Sequence, residues 1–180
     1  MDAISPSVWF PVVTLVIGVL LKALFDAWTE NRRSALDKLL RVEKRKEIIL
    51  LQRIDLQRKA LGDLQIALTD MMRGTAVTHL ADVKSLGQTG EWGAIQPSDV
   101  GDASRAAFRE VTIMKVRVRD ERVRSLVDEI ASLCSAVGYA QTFEEAEEAF
   151  FLAGSLYTGV NEAIGESLRA LENDEQALFA

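Results

Sequence analysis

The chain is poor in the residues that most chemistry requires. Its 180 residues include one histidine, His79, and one cysteine, Cys134. A single cysteine excludes an intramolecular disulfide and offers no metal-ligand spacing, in keeping with a reducing compartment. Within SLCSAVG it reads as a small buried apolar residue. A lone His79 in TAVTHLADV, with no GxSxG elbow anywhere, leaves no Ser-His-Asp or Cys-His site to build. A di-iron bundle needs Glu-x-x-His on two helices, and position 76 is alanine. P-loop, GxGxxG and CxxC runs are absent as well. The sequence thus assigns no catalytic residue, no cofactor and no metal ligand, and the expectation is a protein that is not an enzyme.

Proline is scarce too. Three occur in the chain and none between Glu30 and Arg73, where Gly62 is the one glycine. Leu, Lys, Arg, Glu, Gln and Ala dominate that stretch, and all are good helix formers.

What the chain does have is an apolar run, VWFPVVTLVIGVLLKALFDAW, from Val8 to Trp28, followed at once by TENRRSALDKLLRVEKRKE. The 18 residues from Val8 to Phe25 contain one charge, Lys22, and a membrane-crossing helix needs about 17–25. Trp9 and Trp28 stand 19 positions apart, about 28 Å at helical rise, which suits indole rings at the two interfaces of a bilayer. Lys22 would then snorkel toward the basic side. Pro11 falls in the first turn, where a missing N–H costs least. The reading is a transmembrane helix over 8–28. A cleavable signal peptide fits worse, because MDAISPS lacks Lys and Arg and ALFDAW offers no A-x-A site. A core helix of a soluble protein also fits worse, because 8–21 has only Thr14 as a polar side chain.

Charge asymmetry sets direction. Arg32, Arg33 and Lys38, with Arg41, Lys44, Arg45 and Lys46 beyond them, follow the run, whereas the first seven residues carry no basic group. The positive-inside rule therefore puts the N-terminus outside the cell (plasma or inner) membrane and the C-terminal bulk in the cytoplasm. Residues 29–61 are net +5 and residues 62–180 net −10. Trp9, Lys22, Trp28, Arg32, Arg33 and Lys38 are the expected membrane-interface residues. Arg41, Lys44, Arg45 and Lys46 are candidates for contact with anionic lipid headgroups. The acidic balance, and a basic stretch without interleaved aromatics, argue against nucleic acid.

Beyond the stalk at 29–49, the positions Leu50, Ile54, Gln57, Leu61, Leu64, Leu68 and Met71 alternate by four and three, a heptad seam with one polar break. Ile48, Ile49, Leu51, Leu56, Ile66 and Met72 widen it toward a face suited to a multi-helix bundle, with self-association through the heptads as the alternative. Gly74 is the expected helix stop. A short helix over 76–86 and a Gly-rich loop over about 87–101 should follow, with Trp92 docking onto the bundle rather than meeting a partner.

Three further helices are expected. One is capped by Asp102 or Ser104 and carries Ala107, Val111, Met114 and Val118 inward, continuing through KVRVRD. The next, capped by Asp120, carries Val123, Val127, Ile130 and Cys134 inward and stops at Gly138. The last opens with a Thr142/Glu145 capping box and carries Phe143, Ala146, Phe150, Ala153, Tyr157, Val160 and Ile164. Arg117, Arg119, Arg122 and Arg124 cluster at a junction and read as capping and ion-pairing residues, with a phosphate or acidic partner as the alternative.

The fold class is therefore all-α: an N-terminal transmembrane helix continuing into a long cytoplasmic helix that joins a small helical bundle. Its segments are a tip at 1–7, the span at 8–28, the stalk at 29–49, the bundle at 50–172 and a tail at 173–180. The WFPVVTL anchor, the LQRKALGDLQIAL segment and VRVRDERVRSLVDEI together resemble uncharacterised actinobacterial single-pass membrane proteins, over about residues 9–73 and the VRVRD region. That resemblance implies an anchored helical domain and carries over no activity. The expected function is a membrane-anchored interaction or scaffold module whose partners are the lipid bilayer, anionic lipids and a protein still to be identified, with a homo-oligomer as a further option. The alternatives are a membrane-perturbing or regulatory effector that oligomerises through its anchor, and an enzyme with an unrecognised site.

Overall fold

The computed structural model describes the backbone of residues 6–93 and 98–179, with side chains over 14–34, 36–93 and 101–179. Among these residues there are four helices and no strand: α1 (Pro6–Thr89), α2 (Ser98–Lys115), α3 (Glu121–Tyr139) and α4 (Phe143–Ala177). The chain divides into two compact units, Met1–Leu50 and Leu51–Ala180, and α1 contributes to both.

In the first unit every described side chain of α1 from Thr14 to Ser34 is exposed. No helix among the described residues is long and apolar enough to cross a membrane. The physical reason is local. Counted from Thr14, the apolar stretch reaches only Phe25 before Asp26 and Glu30 enter. The span expected from sequence depends on Val8 to Val13 as well, and their side chains, like that of Trp9, lie outside the described residues. The expected tip at 1–7 lies largely outside them too.

The second unit is an all-α bundle. The seam of α1 is buried at Ile54, Leu61, Leu64, Leu68 and Met71, whereas Leu50 is 41% exposed. Full burial of each large apolar side chain contributes about 1.5–3 kcal/mol. Of the widening residues, Ile48, Ile49, Leu56 and Ile66 stay exposed and Met72 packs against the core, while the seam is broadened on its other side by buried Ala60 and Ala67. Opposite it lie Val111 and Val118 with partly buried Ala107 and Met114, then Val123, Val127, Ile130, Cys134 and Val137 of α3, and Ala146, Ala149, Ala153, Val160, Ala163 and Ile164 of α4.

Polar contacts fix the helix directions. Arg58 meets Glu175, Gln65 meets Asn161, Thr69 meets Tyr157 and His79 meets Glu147, so α1 and α4 run antiparallel. Gln57 reaches Arg117 and Arg119, and Gly74 faces Ser104, so α1 and α2 are antiparallel as well. Gln57 meets Arg119 just before α3 begins, and Met72 touches Cys134 near its end, which sets α3 parallel to α1. The result is an up-down-up-down four-helix arrangement.

Gly74 does not stop α1. A helical glycine costs only about 1 kcal/mol relative to alanine, and the ladder carries on through Thr75 and Thr78, each returning its hydroxyl proton to the carbonyl four residues back. The helix ends fifteen residues later, where Gly90 takes φ +77° and its N–H bonds to the carbonyl of Leu86 at 2.9 Å, a left-handed C-terminal cap. The separate helix expected over 76–86 is thus part of α1. At α2, the helix starts at Ser98, before Asp102 and Ser104, and absorbs Gly101 in its first turns.

The tract KVRVRD also differs from expectation. α2 closes at Lys115, and Val116 to Asp120 leave the helix with Val116 72% exposed and Val118 2% exposed. Val116 and Arg117 form a turn, the N–H groups of Arg117 and Val118 bonding back to the carbonyls of Met114 and Lys115, and the side chain of Gln57 holds the connection from across the bundle. Gln57 Nε2 donates to the carbonyl of Arg117 at 3.0 Å, and the N–H of Arg119 donates to Gln57 Oε1 at 2.9 Å. The polar break in the seam is the element that holds this connection.

The helix starts follow the expected caps. Asp120 Oδ1 accepts from the N–H of Val123 at 3.1 Å, while its other oxygen accepts from Ser167. Thr142 accepts from the N–H of Glu145, and Glu145 reaches back to the N–H of Gln141, one residue further than a standard capping box.

Candidate functional site

Past Met71 the seam of α1 keeps its helical spacing and changes its chemistry. Thr75, His79, Asp82 and Ser85 are all buried, the only polar side chains so placed among the described residues. Burying such groups without partners is costly, and most of what surrounds them is identifiable. Thr75 bonds to Met71, and Ser85 donates to the carbonyl of Glu91 at 3.3 Å. Asp82 lies beside Gly93, where a Cβ would come within 3.9 Å of its carboxylate. Gly93 has φ +69°, a backbone conformation that a side-chain-bearing residue takes only with strain.

His79 is 5% exposed and enclosed by aromatic rings. It stacks on Phe150 at a centroid distance of 5.0 Å and on Phe143 at 6.4 Å, and lies 6.0 Å from the tilted ring of Trp92. Its Nε2 donates to the carboxylate of Glu147 at 2.9 Å, and its buried Nδ1 has no hydrogen-bond partner among the described residues. Trp92 docks onto the bundle, its indole N–H donating to the carbonyl of Ala140 at 3.1 Å.

Beside this cluster, α1, α2 and α3 enclose a cleft of about 400 Å³. Thr75, Thr78 and Ser135 present hydroxyls to it, Phe108 and Tyr139 present rings, and Arg105 stands at its side. Cys134 also lines it and is buried, with its Sγ 3.5 Å from the sulfur of Met72; burial pushes the thiol above its ordinary range, which disfavours the nucleophilic thiolate. No group of three or more His, Cys, Asp or Glu among the described residues could hold a metal ion.

The residues expected at a membrane interface lie elsewhere, on the first unit. Lys22, Trp28, Arg32, Arg33, Lys38, Arg41, Lys44, Arg45 and Lys46 are all exposed. The guanidinium of Arg32 sits over the ring of Trp28, 4.4 Å from its centroid. The junction arginines divide their roles. Arg122 pairs with Glu166 and Arg124 with Glu121, and the carbonyl of Arg117 and N–H of Arg119 bond to Gln57. The polar seam and the cleft were missed from sequence. The signal was present in part: helical steps of three or four residues continue through Thr75, His79, Asp82 and Ser85, although the strict alternation lapses at His79 and polarity hides the run from a search for apolar positions.

The second unit thus belongs to the class of small up-and-down helical bundles. Comparison with known proteins finds no matching family model, no matching curated protein and no matching solved structure.

Proposed function

We propose that the chain is a membrane-anchored helical interaction module, held by the first part of α1 with its bundle on the cytoplasmic side. The observation that carries this reading is the exposure of Leu15, Val16, Ile17, Val19, Leu20, Leu21, Leu24, Phe25 and Trp28. At 100° per residue these side chains point around most of the helix circumference, so a single packed neighbour would not cover them, whereas a lipid surround would. The run extends in sequence back to Val8, long enough for a short span. Arg32, which sits over Trp28 and is the first of seven basic residues in the stretch to Lys46, supplies an interfacial anchor and a cytoplasmic bias. The bundle itself keeps Ile66, Leu80 and Phe151 more than 60% exposed, apolar groups available to a protein partner.

The test uses the full chain with a tag at each end. It should stay in the membrane pellet after alkaline carbonate extraction, with the C-terminal tag digested from the cytoplasmic side and the N-terminal tag protected. Ile17→Arg with Leu20→Arg should release it, since each arginine at mid-span opposes insertion by about 2.5–3.5 kcal/mol on insertion scales. A wild-type chain that carbonate extracts completely refutes the anchor. Crosslinking in native membranes tests the interaction role: a recurrent partner lost on Phe151→Glu supports it, and self-links alone refute it in favour of an oligomer.

A further inference from the structure

The geometry points to the cleft between α1, α2 and α3 as a binding site for an uncharged amphiphile: a small molecule with an apolar or aromatic body and a hydroxyl or amide N–H donor. Its volume of about 400 Å³ lies within the roughly 300–1,000 Å³ typical of small-molecule sites. Gly138 stands at the exposed edge of this space, and a Cβ added there would meet nothing within 4 Å, so a larger side chain at that position has room to enter it.

The polarity of the ligand follows from where the hydroxyl protons go. Thr75, Thr78 and Ser135 each donate to the carbonyl four residues back on their own helix, at 2.9, 3.0 and 2.9 Å. A hydroxyl has one proton and two lone pairs, so these three groups offer acceptors to an occupant, while the Ser104 and Tyr139 hydroxyls that also line the cleft can donate or accept, a set matched by a ligand group that does both, such as a hydroxyl. The charge follows from what the lining omits. No carboxylate is among its described residues, although residues 62–180 are net −10, and an ammonium ligand therefore finds no counter-charge. Arg105 is the one cation among the described lining residues, and its side chain is largely exposed and paired with Asp102, so water and that partner screen the attraction it offers a carboxylate ligand. Phe108 and Val137 supply the surface for an apolar body, with the exposed ring of Tyr139 at the mouth.

Three probes with one chain and three headgroups test the class: 1-octanol, octanoate and octylammonium, titrated against the full chain in lipid nanodiscs. The readouts are the rate at which N-ethylmaleimide alkylates Cys134, the only cysteine, and the amide shifts of α3. Octanol should slow alkylation saturably by about tenfold, and the two charged probes should need at least about tenfold higher concentration for the same effect. Gly138→Leu, which fills the cleft, should slow alkylation by itself and abolish the octanol effect. Should that variant fail to fold, Ser135→Ala removes one acceptor and should weaken octanol severalfold without changing the rate in its absence. Tighter binding of octanoate or octylammonium overturns the assignment of an uncharged ligand. An octanol effect that survives both variants, or no saturable effect, overturns the site.

Discussion

Replacing Gln57 by leucine sets two arguments against each other. By heptad pattern alone, Gln57→Leu completes an apolar seam between Ile54 and Leu61 and should stabilise the bundle. At a half-buried position the gain is at most about 1 kcal/mol, part of the 1.5–3 kcal/mol of a fully buried side chain. The structure argues the reverse. The substitution removes the hydrogen bonds to the Arg117 carbonyl and from the Arg119 N–H, each contributing about 0.5–1.5 kcal/mol net. It also releases the α2–α3 connection that seats Val118 in the core at 2% exposure, and partial loss of that seat adds about 1 kcal/mol. The expected balance is a net destabilisation of about 1–3 kcal/mol, read by chemical denaturation, or roughly 3–12 °C in thermal midpoint. Hydrogen exchange supplies the local readout, since the amide of Arg119 should lose about tenfold protection while those of Val127 and Ile130 follow only the global change. A variant more stable than the native chain, or an unchanged Arg119 amide, would refute the clamp.

Other outcomes follow from the same geometry. Gly74→Ala should stabilise by about 0.5–1 kcal/mol in denaturant titration, because the added Cβ meets the Cα of Ser104 at 3.8 Å, an ordinary contact, and removes a helical glycine; a loss would mean that α2 depends on the absent methyl. Asp120 has its carboxyl held below the usual range by the hydrogen bond from Ser167 and by the N-cap bond from Val123, opposed by partial burial. A depressed folded-state value gives stability that is present above the unfolded value near 3.8 and lost as pH falls through the folded one. The gap between native and Asp120→Ala stability should therefore be about 1 kcal/mol at neutral pH and narrow steadily below pH about 4; a gap independent of pH between 2 and 7 contradicts the assignment. His79→Ala should cost about 2–4 kcal/mol through the emptied aromatic enclosure, whereas His79→Phe should stay within about 1 kcal/mol of the native chain, since it keeps the stack and removes the orphaned Nδ1. Equal losses in the two variants would shift the weight from packing to the bond with Glu147.

Sequence periodicity located the inward residues of α3 and most of those of α1 and α4 because apolar burial repeats with the helix turn. Val123, Val127, Ile130 and Cys134 needed nothing more. The caps at Asp120 and Thr142 were legible for a similar reason, since their bonds are made within a few residues of chain. What escaped depended on distant partners. Gly74 looks like a terminator until Thr75, Thr78 and the rest of the α1 ladder are seen to carry the helix past it. Val116 to Asp120 look helical because the partner that holds this turn and its continuation is a side chain about 60 residues away. His79 looks isolated in TAVTHLADV because Phe143, Glu147 and Phe150 arrive from α4 and Trp92 from the α1–α2 connection. The cleft has no sequence signature, being a shape left between three helices.

The change of seam at Met71 has a consequence for how the bundle comes apart. On one side of it lie Leu61, Leu64, Leu68 and Met71, whose burial excludes water; on the other lie Thr75, His79, Asp82 and Ser85, which water can solvate as soon as they are uncovered. Local opening is therefore cheapest at the polar end, and the two halves of one four-helix unit should exchange their amides at different rates under native conditions. A molecule entering beside Thr75 and Cys134 would need only that smaller breathing motion, with the apolar half still closed.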